Sequence, residues 1–233
     1  MTDAIILAGG LGTRLKGAVP DLPKPLARVN GRPFLDILLR QLGRAQEVKR
    51  VILAVGYRSE QIIGHYANCG RFPFEILFSR EDEPLGTGGA LIRARGLART
   101  GEILVLNGDS YVEIDIEGLI GFHRESGGPF TIVLKEAPDC GRYGRVGVDA
   151  EGRVVSFGEK DGTAPGPGLI NAGVYVFDRA LFEDEAERRL SLEAGLLPEY
   201  ARQGGYGYIA RGRFIDIGIP ESYREAQRYL RGI

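Results

Sequence analysis

The chain has 233 residues, 43% of them hydrophobic, which is enough to bury one sizeable core, so we expect a single domain over 1–233. A formal net charge of -1 gives no electrostatic reason to expect nucleic acid as a partner, and no apolar run approaches the length of a membrane span. Met1 leads straight into an apolar strand without a signal region. The two cysteines, Cys69 and Cys140, are widely spaced, which is typical of free thiols in a reducing compartment. A cytoplasmic protein is therefore expected.

Short apolar runs alternate with amphipathic segments in the first half of the chain. This order predicts a parallel sheet with helices on both faces and ligands at the carboxyl ends of the strands. Strands are predicted at 5–8, 51–55, 74–78 and 103–106, and helices at 34–44, 59–67, 87–98 and from a cap at Asp115 to about 124.

The pattern changes in the second half. After a strand at 130–135, alternating residues over 144–157 predict a hairpin that turns at 149–152. A strand at 169–177, a helix at 191–202, strand character over 207–217 and a helix at 220–231 follow. The predicted fold class is therefore α/β, a three-layer sandwich in which a Rossmann-like, mostly parallel mixed sheet lies between helices.

The first strand runs into GGLGTRL and then LPKPL, a loop that suits phosphate. Gly9, Gly10 and Gly12 permit positive φ and close backbone approach, so that successive N–H groups can point at phosphate oxygens. Arg14 and Lys24 add positive charge, and the prolines on both sides of Lys24 stiffen its segment. The alternative for Lys24 is a solvated, proline-braced turn.

The sequence motifs of two common phosphate-binding loops do not match this segment. No GxxxxGK followed by Ser or Thr comes after the first strand, so this is not a P-loop. Leu15 stands where a dinucleotide fingerprint needs its third glycine, and 51–59 carries no acidic residue at the end of the second strand. The loop predicts nucleotide binding of another kind.

Two aspartates lie at strand ends. Asp109 follows the strand at 103–106, and Asp216 in FIDIGIP precedes a glycine and a helix. Carboxylate oxygens suit Mg²⁺, which uses one or two protein carboxylates and takes its other ligands from phosphates and water. Magnesium is therefore the expected cofactor, with a turn or cap role as the alternative for Asp109.

The loop EDEPLGTGGA is rich in acid and glycine and leads into a helix. Gly86 and Gly88 permit close backbone approach, and Thr87 is predicted to cap the helix. The carboxylate of Glu81 or Glu83 can accept the paired donors of guanine, N1–H and the exocyclic amine. A solvated acidic turn is the alternative.

Six motifs in order, GGLGTRL with LPKPL, EDEPLGTGGA, LNGD, GEK, LINAGVYVF and FIDIGIP, resemble the signature of the sugar nucleotidyltransferases, also called nucleotide-sugar pyrophosphorylases, over nearly the whole chain. The resemblance implies the nucleotide-diphospho-sugar transferase fold, with 1–112 as the nucleotide-binding half and 113–233 as the sugar-phosphate-binding half. It also implies a Mg²⁺-dependent in-line reaction of a nucleoside triphosphate with a sugar 1-phosphate. The segments EDEPLGTGGA, SLEAGLLP and FIDIGIPESY are most similar to the branch that uses GTP and D-glycero-D-manno-heptose 1-phosphate.

The resemblance implies roles for the matched residues. Catalytic roles are implied for Arg14, Lys24, Asp109 and Asp216, the two aspartates as metal ligands. Contacts to the nucleotide are implied for Leu7, Ala8, Gly9, Gly10, Gly12, Thr13, Arg14, Lys24, Glu83, Gly86, Thr87 and Gly88. Contacts to the sugar phosphate are implied for Asn107, Gly144, Glu159, Lys160 and Asn171.

Other substrate pairs would leave the chemistry unchanged: mannose 1-phosphate with GTP, glucose 1-phosphate with dTTP or CTP, and N-acetylmuramate 1-phosphate with UTP. The alternative from a different class is a catalytically silent subunit that binds a nucleotide-sugar. The presence of Lys24 and both aspartates disfavours it. The expected partners are a nucleoside triphosphate and a sugar 1-phosphate, without nucleic acid or membrane. The sequence leaves the oligomeric state open, a homo-oligomer included.

Overall fold

The computed structural model describes residues 1–143, 145–158 and 166–233. Its strands are β1 Thr2–Leu7, β2 Arg28–Val29, β3 Arg32–Pro33, β4 Val48–Val55, β5 Glu75–Arg80, β6 Glu102–Asn107, β7 Ser110–Val112, β8 Phe130–Ala137, β9 Val146–Val148, β10 Val154–Phe157, β11 Gly168–Asp178, β12 Tyr206–Ile209 and β13 Phe214–Asp216. Its α-helices are α1 Phe34–Leu42, α2 Ser59–Tyr66, α3 Gly86–Ala94, α4 Ile116–Ser126, α5 Leu197–Ala201 and α6 Pro220–Tyr229.

A mixed sheet of seven strands forms the centre, in the order β12-β8-β11-β6-β1-β4-β5. The strands β6, β1, β4 and β5 run parallel, β11 runs antiparallel to both of its neighbours, and β12 is parallel to β8. Residues 4–7 of β1 are all apolar because both faces of the sheet are covered, and Ala4, Ile5 and Ile6 have no exposed surface.

Helices cover the two faces of this sheet. One face packs against α1, α2, α4 and α6, and the other against α3, α5 and the segment before α5. Alternate residues of β1 serve the two cores, since Ile6 packs on the first side and Ile5 on the second. The predicted three-layer α/β sandwich with a mostly parallel mixed sheet is confirmed.

Local predictions are confirmed at two places. The Asp115 side chain accepts a hydrogen bond from the Glu117 N–H at 3.1 Å and caps α4. The hairpin of β9 and β10 turns at Asp149, whose carboxylate accepts from the N–H groups of Glu151 and Arg153. No helix of the described residues is long and apolar enough to cross a membrane, and both cysteines are free thiols.

The C-terminal predictions needed correction. The strand predicted over 207–217 is two strands, because β12 pairs with β8 in the main sheet whereas β13 leaves it to pair antiparallel with β7. The helix predicted over 191–202 begins instead as a π-helical turn, Leu192–Leu196, and becomes α-helical only in α5. Pro198 lies in the first turn of α5, where the missing N–H costs nothing.

Candidate active site

The carboxyl ends of β1 and β6 open into a cavity of about 420 Å³, a volume suited to a nucleotide-sized ligand. Leu7 and Asn107 are register partners at these strand ends, and the Gly108 N–H donates to the Leu7 carbonyl at 2.9 Å, so the glycine loop and the LNGD segment leave the sheet side by side. Most of the predicted site residues line this cavity: Leu7, Ala8, Gly9, Gly10, Gly12, Arg14, Lys24, Gly86, Thr87, Asn107, Asp109, Asn171 and Asp216.

The remaining predicted residues lie elsewhere. Thr13 and Glu83 are exposed and do not line the cavity. Gly88 is buried in α3 away from the cavity, where its N–H donates to the Leu190 carbonyl at 2.9 Å. The predicted residues Gly144, Glu159 and Lys160 lie outside the described part of the chain.

Lys24 forms an ion pair with Asp109. Its Nζ donates to Asp109 Oδ2 at 2.7 Å, and only 12% of the Lys24 side chain is exposed. The Ser110 hydroxyl donates to the other oxygen, Asp109 Oδ1, at 3.2 Å. Lys24 therefore points into the cavity, and the alternative of a solvated turn is wrong for this residue.

Backbone pairing brings the two predicted metal ligands together. In the ladder of β7 and β13, Asp216 lies opposite Ser110, the residue after Asp109. The Ile217 N–H also donates to the Asp109 carbonyl at 2.9 Å. Asp109 and Asp216, which are distant in sequence, thus sit on adjoining backbones and both line the cavity.

The Asp216 carboxylate has three donors around it. Arg142 Nη2 lies 2.7 Å from each carboxylate oxygen, the Tyr143 hydroxyl donates to Oδ2 at 2.7 Å, and the Gly218 N–H donates to Oδ1 at 2.8 Å. Burial, followed by the hydrogen bond to Asp216, raises the pKa of Tyr143, so its hydroxyl remains a donor. No sequence pattern indicated Arg142 or Tyr143, because both belong to a loop without hydrophobic periodicity.

Glu81 forms part of the cavity wall beneath the glycine loop. Its side chain is buried, its Oε2 accepts from the Leu85 N–H at 2.8 Å, and its Oε1 lies so close to Gly9 that a methyl group there would overlap it. Burial raises the pKa of the Glu81 carboxyl, and the Leu85 N–H partly opposes this effect. Of the two acids considered for base recognition, the structure brings Glu81 to the cavity and leaves Glu83 exposed.

The polar side chains predicted to meet the sugar phosphate lie on neighbouring strands. Asn171 donates through Nδ2 to the Tyr175 hydroxyl and accepts through Oδ1 from the Gly173 N–H, both at 2.8 Å. Burial raises the pKa of Tyr175 well above its ordinary value, so this tyrosine stays neutral. Asn171 and Asn107 are therefore oriented toward the cavity by a fixed polar framework.

The segment 188–193, here called the strap, crosses the start of α3. The N–H of Leu190 donates to the Leu85 carbonyl, and the Leu190 carbonyl accepts from the N–H groups of Gly88 and Gly89. The predicted capping of α3 by Thr87 is wrong, since its hydroxyl donates to Glu193 and accepts from the Leu192 N–H at 2.8 Å. The glycines of EDEPLGTGGA thus give room to the strap.

Replacing Gly89 with alanine should destabilise the fold by about 1 to 3 kcal/mol, because a methyl group would overlap the Arg188 carbonyl and lie 2.8 Å from Leu85 Cβ. Urea unfolding measures the effect. Gly96→Ala is the matched control, because nothing lies within 4 Å of that added Cβ and the position is exposed. Equal unfolding midpoints for both variants would contradict the close packing of the strap.

The residues around the cavity and their place at the edge of the sheet define a class of enzyme. A glycine loop with two cations faces a pair of strand-end aspartates at the carboxyl edge of an α/β sheet, and this combination belongs to enzymes that bind a nucleotide and act at its phosphates.

The sequence profile of the nucleotidyl transferase family matches residues 3–232, and the chain belongs to this family. It is 38% identical over 231 residues to the D-glycero-alpha-D-manno-heptose 1-phosphate guanylyltransferase of Aneurinibacillus thermoaerophilus, covering 98% of each chain. It is 40% identical over 221 residues to the enzyme of the same name from Campylobacter jejuni, covering 94% of this chain and 96% of that one. The resemblance found in the sequence is confirmed.

Solved structures also match this chain in fold. HddC from Yersinia pseudotuberculosis, crystallised in complex with GMP-PN, matches with a TM-score of 0.85 at 37% identity, covering 98% of this chain and 99% of that one. The inositol-1-phosphate CTP transferase from T. maritima matches with a TM-score of 0.77 at 18% identity, covering 100% of this chain and 98% of that one, and so shares the fold.

Proposed function

We propose that this chain transfers a guanylyl group from GTP to a sugar 1-phosphate, with D-glycero-D-manno-heptose 1-phosphate as the preferred acceptor. The observation that carries the proposal is the placement of Asp109 and Asp216 on adjoining backbones opposite Lys24 and the glycine loop. The names of the two relatives at 38% and 40% identity support the choice of base and sugar.

The reaction needs positioning and charge neutralisation rather than a covalent protein intermediate. A phosphate oxygen of the sugar attacks the α-phosphorus in line, and the bond from that phosphorus to the pyrophosphate oxygen breaks as the new one forms. In this proposal the N–H groups of Gly9 to Gly12 with Arg14 and Lys24 hold the triphosphate. Asn107 and Asn171 contact the sugar, with Lys160 expected on its phosphate.

Magnesium fits the residues of this cavity. Among the described charged residues that line it, the acids outnumber the cations, so a triphosphate would meet too little positive charge without a metal ion. The cationic ones are Arg14, Lys24 and Arg142, and the acidic ones are Glu81, Asp109, Glu193 and Asp216. Asp109 and Asp216 would hold Mg²⁺, which supplies charge stabilisation at the phosphates when bound.

The same residues argue against a silent binding subunit, because a protein that only binds product has no need for a lysine and two carboxylates around the phosphates.

Cys69 and Cys140 are free thiols, and we propose the cytoplasm as the compartment of the reaction.

A matrix of pyrophosphate release tests the proposal, with GTP, ATP, UTP, CTP and dTTP against a panel of sugar 1-phosphates that includes heptose, mannose, glucose and N-acetylmuramate. We expect the highest kcat/KM for GTP with heptose 1-phosphate, and a lower value for GTP with mannose 1-phosphate. Turnover only with UTP or dTTP would overturn the guanylyl assignment. A protein that binds nucleotide but turns over no pair would be a silent subunit.

A further inference from the structure

Glu193 joins two sides of the cavity and has no role in the mechanism above. Its Oε2 accepts from the Thr87 hydroxyl at 2.7 Å, and its Oε1 accepts from Asn107 Nδ2 at 3.3 Å. Thr87 belongs to the loop and helix start that follow Glu81, whereas Asn107 ends β6 two residues before Asp109. One side chain therefore connects the base side of the cavity to the side where the phosphates would react.

The backbone around Glu193 is held firmly. The Ser191 hydroxyl accepts from the Ala194 N–H at 3.1 Å and caps the π-helical turn Leu192–Leu196. Both end residues of that turn, Leu192 and Leu196, are buried. Turns of this kind are rare and are frequently found at functional sites. Because the strap also bonds to α3, Glu193 is held in a fixed position and is not a mobile surface residue.

Glu193 is one of the side chains that orient Asn107. The Asn107 amide donates to Glu193 and also lies within hydrogen-bonding reach of the buried Tyr175 hydroxyl, whereas its buried Oδ1 has no partner among the described residues. Asn107 also packs tightly on Gly173, where an added Cβ would lie 2.9 Å from Nδ2. Loss of the Glu193 bond would remove one of the two partners of the amide and loosen the segment that leads to Asp109.

We infer that Glu193 is a positioning residue that fixes the distance between the base-side loop and the end of β6, acting through Thr87 and Asn107. The two substrates bind on the two sides that it joins, so it sets how the α-phosphate of the nucleotide faces the sugar phosphate. This inference rests on the proposed function for the identity of the two substrates and for its kinetic assay, whereas the connection from Thr87 through Glu193 to Asn107 does not depend on it.

The Glu193→Gln variant tests whether Glu193 acts by positioning Thr87 and Asn107 or by its negative charge. Its carbonyl oxygen can accept from the Thr87 hydroxyl, and its amide can donate to Asn107 Oδ1 after the Asn107 amide turns over. The turn breaks no bond of Oδ1, which has no partner among the described residues, and the Tyr175 hydroxyl can donate to the turned Oδ1. The Gln variant keeps the connection without the charge, and the Ala variant loses both.

The kinetic test compares Glu193→Ala and Glu193→Gln in pyrophosphate release with GTP and heptose 1-phosphate. We expect kcat of the Ala variant to fall on the order of 10-fold with both KM values nearly unchanged, because misplacement affects the reacting geometry more than binding. The Gln variant should keep most of the wild-type kcat. Glu187→Ala is the matched control, since Glu187 bonds Arg93 of α3 at 2.9 Å outside the cavity.

A second measurement needs no substrate. Amide hydrogen exchange of the ligand-free protein should become about tenfold faster at 85–89 and at 107–109 in the Ala variant and stay unchanged in the Gln variant. Unchanged exchange at both segments in the Ala variant would overturn the inference, whatever the protein catalyses. A Gln variant as slow as the Ala variant would also overturn it, because the carboxylate charge itself would then be required. Absence of turnover in the wild type would reject the proposed function alone.

Discussion

Replacing Asp216 with asparagine should lower kcat for pyrophosphate release by on the order of 10²- to 10³-fold, the effect of removing one electrostatic element of a transition state. The amide keeps the size of the side chain but loses the charge that Mg²⁺ requires. Asp109→Asn should have an effect of similar size, because Lys24 would also lose its ionic partner at 2.7 Å. Both variants should need more Mg²⁺ for half-maximal turnover.

The control for this prediction is Asp178→Asn, another strand-end aspartate. Because β11 runs antiparallel to β6, Asp178 pairs with Glu102 at the opposite edge of the sheet, and 52% of its side chain is exposed. Its activity should equal that of the wild type. Mn²⁺ titration of the GTP complex gives a readout besides turnover, and full activity of both site variants at limiting Mg²⁺ would reject the metal assignment.

Most of the central sheet could be predicted from the sequence because its inner strands contain short, continuous apolar runs. Ile5 and Ile6 serve two different cores, and only a strand covered on both faces requires that pattern. The pairing of β7 with β13 could not be predicted, since each is a three-residue strand and the two are about a hundred residues apart. That pairing nevertheless places Asp216 beside Asp109, so the motifs identified the residues and the fold explains their proximity.

The parts of the site that were missed depend on tertiary contacts. Arg142 and Tyr143 lie in a loop, where no hydrophobic period indicates direction, and their role appears only from their bonds to Asp216. Glu193 is one of many acids in its region, and its connection between Thr87 and Asn107 arises from the π-helical turn. Local sequence carries no information about such contacts.

Glu81→Gln should lower kcat/KM for GTP by on the order of 10²-fold or more, the scale at which a site built for hydrogen bonds rejects a mismatched partner. This prediction assigns base recognition to Glu81, the one of the two candidate acids that lines the cavity, so that its carboxylate accepts N1–H and the exocyclic amine of guanine. A glutamine would turn an amide donor toward those donors and leave them unpaired. Its carbonyl can still accept from the Leu85 N–H, so the loop should remain folded.

Inosine triphosphate, which lacks the exocyclic amine, provides the measurement. The wild type should prefer GTP over ITP, and the Gln variant should lose most of this preference. Burial raises the pKa of Glu81, so this carboxylate is protonated at a higher pH than an ordinary glutamate. As the pH is lowered, kcat/KM for GTP should therefore begin to fall at a higher pH than an ordinary glutamate would cause, because protonation removes the acceptor. That limb of the pH profile should disappear in the variant.

Glu83→Gln is the matched control, an acid two positions away in the same loop that is exposed and does not line the cavity. Its GTP preference and pH profile should match the wild type. If Glu83→Gln loses the guanine preference while Glu81→Gln keeps it, the base is read by Glu83, the acid for which the family resemblance implies a contact to the nucleotide. The two glutamates are close in sequence and equal in charge, so the difference between their variants isolates what burial beside Gly9 and the bond to Leu85 contribute to base choice.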